Sequence, residues 1–249
     1  MAVHIKSRRE IGGIRNAGRV VARVLDAVGP EVGPGVGLRH LERVCVDVIR
    51  ELGGEPTFLG YRGYPAAVCI SVNDEVVHGI PGDRVLKDGD IVKVDVGVTK
   101  DGLIADAART FEVGRVRPEV HALVEATERA FWKGVEQARH GNRVGDISHA
   151  VQEYVEEHGY SVVRALCGHA VGLELHEEPS VPNYGRAGKG MLLKAGMTLA
   201  VEPMVNLGGF DVDTLDDGWT VVTKDGSPSA HYEHTILVTD GKPEILTGG

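Results

Sequence analysis

The chain has 249 residues, 27 Lys+Arg against 36 Asp+Glu for a formal net charge of −9, and 42% hydrophobic residues. This excludes disorder and collagen-like repetition, and a chain of this length buries roughly 70–75% of its unfolded surface as one body. The acidic balance, without a run of more than two adjacent basic residues, speaks against a nucleic-acid surface, because phosphate contacts need clustered Lys and Arg; cations and amino termini are better ligands.

Ser7-x-x-Glu10 has the capping-box pattern, and Ile11, Ile14, Gly18, Val21, Val24, Leu25 and Val28 follow at helical spacing. A first helix is therefore predicted, stopped by Gly29-Pro30. After the Gly33-Pro34-Gly35 turn, Leu38, Leu41, Val44, Cys45, Val48, Ile49 and Leu52 predict a second helix ending at Gly53-Gly54. The clearest strand is Ile91–Val98, with its valines on one face and Lys93, Asp95 and Gly97 on the other. Past Pro118, Val120, Leu123, Val124, Thr127, Phe131, Val135 and Ala138 predict a third helix. Ile147, Ala150, Val151, Tyr154 and Val155 predict a fourth, capped by Asp146. Strand-like runs return at Val162-Val163, Leu199–Val201, Val221-Val222 and Ile236–Val238.

Sliding the chain on itself by 106 residues sets Gly35 on Gly141, Leu38 on Val144, Leu41 on Ile147, Cys45 on Val151, Ile49 on Val155 and Gly53 on Gly159. Each half then reads as helix, turn, helix, strands. A single domain over 1–249 is expected, made of halves at about 1–115 and 116–249 with the site between them. Cys45, Cys69 and Cys167 are dispersed and form no CxxC pair, which fits a reducing compartment. The polar start MAVHIKSRREIGG lacks the apolar stretch of a secretion signal, and no segment approaches ~20 apolar residues. A cytoplasmic address without a membrane partner is expected.

Several catalytic signatures are absent: GxGxxG opening a strand-to-helix unit, GxxxxGK[ST], GxSxG and HExxH. Asp211–Gly218 resembles a calcium loop but has Leu215 and Lys224 where oxygen donors are needed, so a solvated acidic turn is expected. What remains is a set of acidic and imidazole residues inside apolar strand-like segments: Asp95 in KVDVGV, Asp106 in IADAARTF, His169 in CGHAVG, Glu202 in LAVEPMV and Glu233 in AHYEHTILV. Each alone reads as an ion-pair partner or a turn cap. Together, four inner-strand carboxylates would repel one another without a cation. Oxygen-rich sites with one imidazole suit two divalent ions bridged by carboxylates, whereas structural zinc favours thiolates and more imidazoles. The set predicts dinuclear metal-assisted hydrolysis.

Alternation puts His231 on the face of Glu233 and His234 on the other, so at most His231 could approach the metals. Both are expected to be ordinary hydrogen-bonding histidines. His78 in HGIPG and His176 in LHEEP begin turn-rich segments from which side chains can reach a cleft.

Taken together, GYRGYPAAVCISVNDEVVHGIPG, LKDGDIVKVDVGV, the Asp106 segment, CGHAVG, LHEEPSVPNYG, LKAGMTLAVEPMVN and DGWTVVTKDGSPSAHYEHTILV closely resemble the type I methionine aminopeptidases, in family order over nearly the whole chain. The resemblance implies an α/β (α+β) pita-bread fold, a curved antiparallel sheet covered by helices in two pseudo-two-fold halves. Residue by residue it implies Asp95, Asp106, His169, Glu202 and Glu233 as metal ligands, with Asp106 and Glu233 bridging. It makes His78 and His176 substrate-contacting histidines beside a pocket lined by Tyr61, Tyr64, Cys69 and Trp219. The implied reaction removes an initiator methionine ahead of a small second residue, using two divalent ions (Co, Mn, Fe or Zn). A metal-bridging water attacks the carbonyl, Glu202 relays its proton, His176 binds the carbonyl oxygen and His78 orients the peptide link. Expected partners are Met-initiated peptides and nascent chains, with contact at the ribosome, and the enzyme acts as a monomer.

The chain departs from the family pattern at Arg62, which replaces a His, at Ala105-Asp106-Ala107, at Leu175, which replaces a Phe, and in GHAVG. None removes a ligand; Arg62 and Leu175 bear on the shape of the methionine pocket. Two rival classes are a proline-specific peptidase of the same fold, whose members usually carry an additional amino-terminal domain, and a non-catalytic binding module, in which ligands are usually lost.

Overall fold

The structure, a computed structural model, describes residues 3–248. The four predicted helices are present: α1 over Arg8–Val28, α2 over Leu38–Glu51, α3 over Pro118–Glu136 and α4 over Val144–Glu157. Ser7 caps α1 through the predicted box, with the Glu10 amide donating to Ser7 Oγ and the Ser7 amide donating to Glu10 Oε2. The amino end of α4 differs from expectation. Arg143 occupies its cap position, and Asp146 lies in the first turn, where its carboxylate accepts from the Arg143 and Gly188 amides. A carboxylate placed there still meets the positive end of the helix, so the first-turn acid serves in place of a cap.

α2 and α4 both have 14 residues and begin at Leu38 and Val144, 106 residues apart. The glycines that precede and follow them also match: Gly35 and Gly141, then Gly53 and Gly159, all have positive φ.

Each helix pair closes its own core. α1 and α2 bury Ile14, Val21, Leu25, Leu41 and Ile49 against Val92, Val94, Val96 and Val98. The second pair divides its apolar faces between Leu199, Val201 and Ile236 on one side and Val162 and Val205 on the other. Every paired strand is antiparallel. The long hairpin of Ile91–Lys100 and Leu103–Glu112 dominates the first half, and Cys167–Ala170, Glu177–Pro182, Thr198–Val201 and His234–Leu237 share a sheet in the second.

The hairpin and the second half are stitched by backbone exchange between Ala108 and Glu233, whose amides donate to each other's carbonyls. Thr235 Oγ1 accepts from the Asp106 amide and donates to its carbonyl. Because the helices take the outer faces, the opposite strand faces turn toward a shared interior. The Asp211–Gly218 stretch is not a turn alone. Val212–Thr214 forms a strand paired with Val221–Thr223, leaving only the acidic connection as a turn; Asp217 binds the Trp219 and Thr220 amides there. Among the described residues no helix is long and apolar enough to cross a membrane.

Candidate active site

Side chains of the long hairpin and of the second-half strands line a cavity of about 290 Å³. Its lining includes all five proposed metal ligands: Asp95, Asp106, His169, Glu202 and Glu233. Alternation explains the first two: Asp95 projects away from the valine core of its strand, and Asp106 lies opposite Gly97 on the neighbouring strand. His169 and Glu202 come from the second sheet, where His169 pairs with Ala200 in register. Glu233 enters from the bend between the Ser229–His231 and His234–Leu237 strands.

Asp106, His169 and Glu233 each offer a ligand atom within 4.8 Å of the others. His169 Nε2 lies 3.4 Å from Glu202 Oε1 and 4.0 Å from Asp106 Oδ2. Its Nδ1 lies 3.1 Å from the Ala170 carbonyl, so the ring donates from Nδ1 and presents a lone pair on Nε2 to the carboxylates. Asn183 Nδ2 donates to the Glu202 carbonyl and fixes that backbone; the sequence carried no signal for Asn183 or for Thr235 beneath Asp106.

Burial is the main force on every titratable group here. It raises Asp95 to about 7 and pushes Asp106, Glu202 and Glu233 well above the usual carboxylate range, with the neighbouring carboxylates adding to the shift of the last three. Burial also depresses His169 to about 3. Asp95 Oδ1, Asp106 Oδ1 and Glu233 Oε1 are buried without a hydrogen-bond partner among the described residues. Three orphaned carboxylate oxygens in one cavity, two of them on residues whose donors cluster with the His169 imidazole, fit a cationic occupant: a site of mixed hard and borderline donors for divalent metal.

His176 and His78 line the same cavity. Tyr61 Oη lies 2.8 Å from His176 Nδ1, and the His176 ring is 4.3 Å from that of His169. Burial, then the charge of Arg62, lowers His176 to about 4, and burial lowers His78. His78 has a positive φ of 59°, unusual for a residue with a side chain.

Beside the polar floor lies an apolar slot. Tyr61, Tyr64, Cys69 and Trp219 line it, joined by Phe58 and Leu175. Tyr64 meets Trp219 edge-on at 5.1 Å and donates to the Gly79 carbonyl. A Cβ on Gly97 would lie 2.5 Å from Phe58, so the glycine makes room for a slot wall next to Asp106. Gly97→Ala is expected to cost about 1–3 kcal/mol in urea unfolding, because the added methyl must displace the Phe58 ring.

His234 behaves as expected, with Nδ1 2.8 Å from Thr247 Oγ1 and Nε2 3.2 Å from the Tyr232 hydroxyl. His231 does not. It is 1% exposed, neither ring nitrogen has a hydrogen-bond partner among the described residues, and Nε2 sits 3.9 Å from Glu202 Oε2. Its backbone, bonded on both sides by Thr110 Oγ1, holds the ring toward the acidic cluster rather than toward a donor.

The model of metallopeptidase family M24 matches residues 12–240. The chain is 50% identical to a methionine aminopeptidase of Clostridium perfringens and 47% identical to methionine aminopeptidase 1 of Bacillus subtilis, covering 98% of each relative and 98% and 97% of this chain. A crystal structure of methionine aminopeptidase from Thermotoga maritima superposes with a TM-score of 0.98 at 46% identity over 100% of both chains. Prolidase from Pyrococcus furiosus shares the fold at a TM-score of 0.81 and 24% identity, over 98% of this chain and 65% of that one. With every proposed ligand lining one cavity and relatives matched from end to end, the chain belongs to metallopeptidase family M24, in its methionine aminopeptidase branch.

Proposed function

We propose that this chain removes the amino-terminal methionine from peptides and nascent chains whose second residue is small and uncharged. The observation that supports it most is the junction of a buried acidic cluster with an aromatic slot in one cavity. The slot suits an unbranched thioether, which packs well against ring edges. The cavity volume of about 290 Å³ is at the small end for ligand sites of ~300–1,000 Å³, which favours a small residue after methionine.

Asp95, Asp106, His169, Glu202 and Glu233 are the residues that would hold two divalent ions, Asp106, His169 and Glu233 having donors within 4.8 Å of one another. Bound ions supply Lewis acidity and lower the pKa of water from 15.7 toward about 7. Glu202 accepts a proton from the attacking water and returns it to the leaving amine. With the Tyr61 hydroxyl, 2.8 Å away, donating to Nδ1 of His176, the ring's Nε2–H would donate to the carbonyl oxygen as charge develops there. His78 orients the peptide link. The substrate ammonium lies against the carboxylate cluster, so a blocked amine is rejected.

Supporting the wider reading, the thiols of Cys45, Cys69 and Cys167 are all free, which fits a reducing cytoplasm. The enzyme is read as a monomer of two similar halves, about 1–115 and 116–249, meeting its substrates at the ribosome. The test is methionine release by the chain loaded in turn with Mn, Fe, Co or Zn. Met-Ala-Ser should be cleaved, its N-acetyl form should not, and Xaa-Pro peptides should be poor substrates. Preferential cleavage of Xaa-Pro peptides would overturn the assignment.

A further inference from the structure

Tyr61–Gly63 forms one tight turn at the cavity wall, and its central residue is Arg62. Arg62 has φ 49° and ψ 23°, the left-handed region where glycine is at ease and a long side chain is not. Its neighbours Gly60 and Gly63 take positive φ as glycines. The side chain is exposed, lines the cavity, and holds its guanidinium carbon 5.3 Å from the Tyr61 ring centre. Among the described residues the ion pairs found for arginines involve Arg15, Arg39, Arg84, Arg109, Arg117, Arg129 and Arg164, and none involves Arg62.

The lip of the cavity thus carries a cation that stacks on Tyr61 and has no ion-pair partner among the described residues. An extended peptide with its ammonium at the floor advances ~3.3–3.6 Å per residue. A peptide whose methionine fills the slot, which Tyr61 lines, therefore carries its following residues out past the adjoining Arg62. On the proposed reading of the cavity as a methionyl-peptide site, we infer that Arg62 determines specificity beyond the scissile bond, selecting peptides with a carboxylate at or just after the third position. Either an acidic side chain there or the terminal carboxylate of a tripeptide supplies that charge. The chain's overall net charge of −9 would by itself favour the opposite sign.

The experiment compares kcat/KM for Met-Ala-Asp-amide, Met-Ala-Asn-amide and Met-Ala-Lys-amide, and for Met-Ala-Ser as acid and as amide, at ~10 mM ionic strength, where the screening length is ~30 Å. Wild type should prefer Asp over Lys by about fivefold, carried by KM, as expected for partly exposed charge pairs. The acid should likewise exceed the amide if a terminal carboxylate reaches Arg62. Arg62→Gln should bring the Asp/Lys ratio to about one or below, and Arg62→Glu should invert it. Arg23→Gln, an equal change of net charge on the exposed face of α1, should leave the ratio intact. Equal loss of kcat on all peptides in Arg62→Gln would assign Arg62 to holding Tyr61 and His176 instead and overturn the inference. So would a wild-type ratio at or below one. Failure to release methionine even from Met-Ala-Asn-amide would remove the parent reading, and this one with it.

Discussion

Asp106→Asn is expected to lose bound metal and methionine release together while leaving the metal-free protein at least as stable as the parent. Asp106 is 4% exposed, its Oδ1 has no partner among the described residues, and burial followed by the charges of Asp95 and Glu202 pushes its carboxyl well above the usual range. In the metal-free fold this carboxylate meets other carboxylates, so the isosteric amide removes repulsion without leaving a hole. The same residue is one of three whose donors lie within 4.8 Å of each other, so on the proposed reading its loss removes a metal donor. A ligand that binds only the folded state stabilises it by RT ln(1 + [L]/Kd), so the parent's melting temperature should climb with added Mn or Co and the variant's should hardly move. Wild-type metal content with full activity in the variant would sink the dinuclear assignment. A variant that is unfolded without metal would assign Asp106 a structural role.

His176→Ala should keep its metal and lose about 10²–10³ in kcat, the usual effect of removing one oxyanion donor. The ring lies beside His169, 4.3 Å between centres, but its Nδ1 is engaged by Tyr61, not by a carboxylate. Burial first and Arg62 second hold it at about 4, so at neutral pH it is an uncharged donor. Tyr61→Phe should lose less activity, because it frees the tautomer without removing the ring. Metal analysis showing an empty site in His176→Ala would make His176 a ligand and overturn its assignment as a carbonyl donor.

The helices were legible because each states its own limits: Ser7-x-x-Glu10 opens α1, Gly53-Gly54 follows α2, and the apolar spacing is unbroken between such marks. The same is true of the Ile91–Lys100 strand, whose strict alternation placed Asp95 on the inner face. Legibility failed where a residue's role depends on what faces it. Asp146 looked like a cap because helix starts are read from local residue types, yet the Gly188 amide, 42 residues away, shares its carboxylate. His231 reads as an ordinary histidine because nothing local shows that its ring is buried 3.9 Å from Glu202 with neither nitrogen hydrogen-bonded among the described residues. Phe58 and Gly97 are unremarkable in sequence, and only their contact makes the slot wall.

By itself, the sequence determined the helix pairs with their 106-residue spacing, the inward direction of Asp95, and a donor set too acidic to coexist without cations. Those conclusions rest on periodicity and on donor chemistry, which are local or compositional. Only the tertiary structure decided that the donors share one cavity. Asp106 and Thr235 lie 129 residues apart and are brought together by hydroxyl and backbone hydrogen bonds whose register no local pattern encodes. It also decided that Arg62 lies over Tyr61 at the lip of that cavity without an ion-pair partner among the described residues, because whether a charge finds a partner depends on the closing of the chain around it.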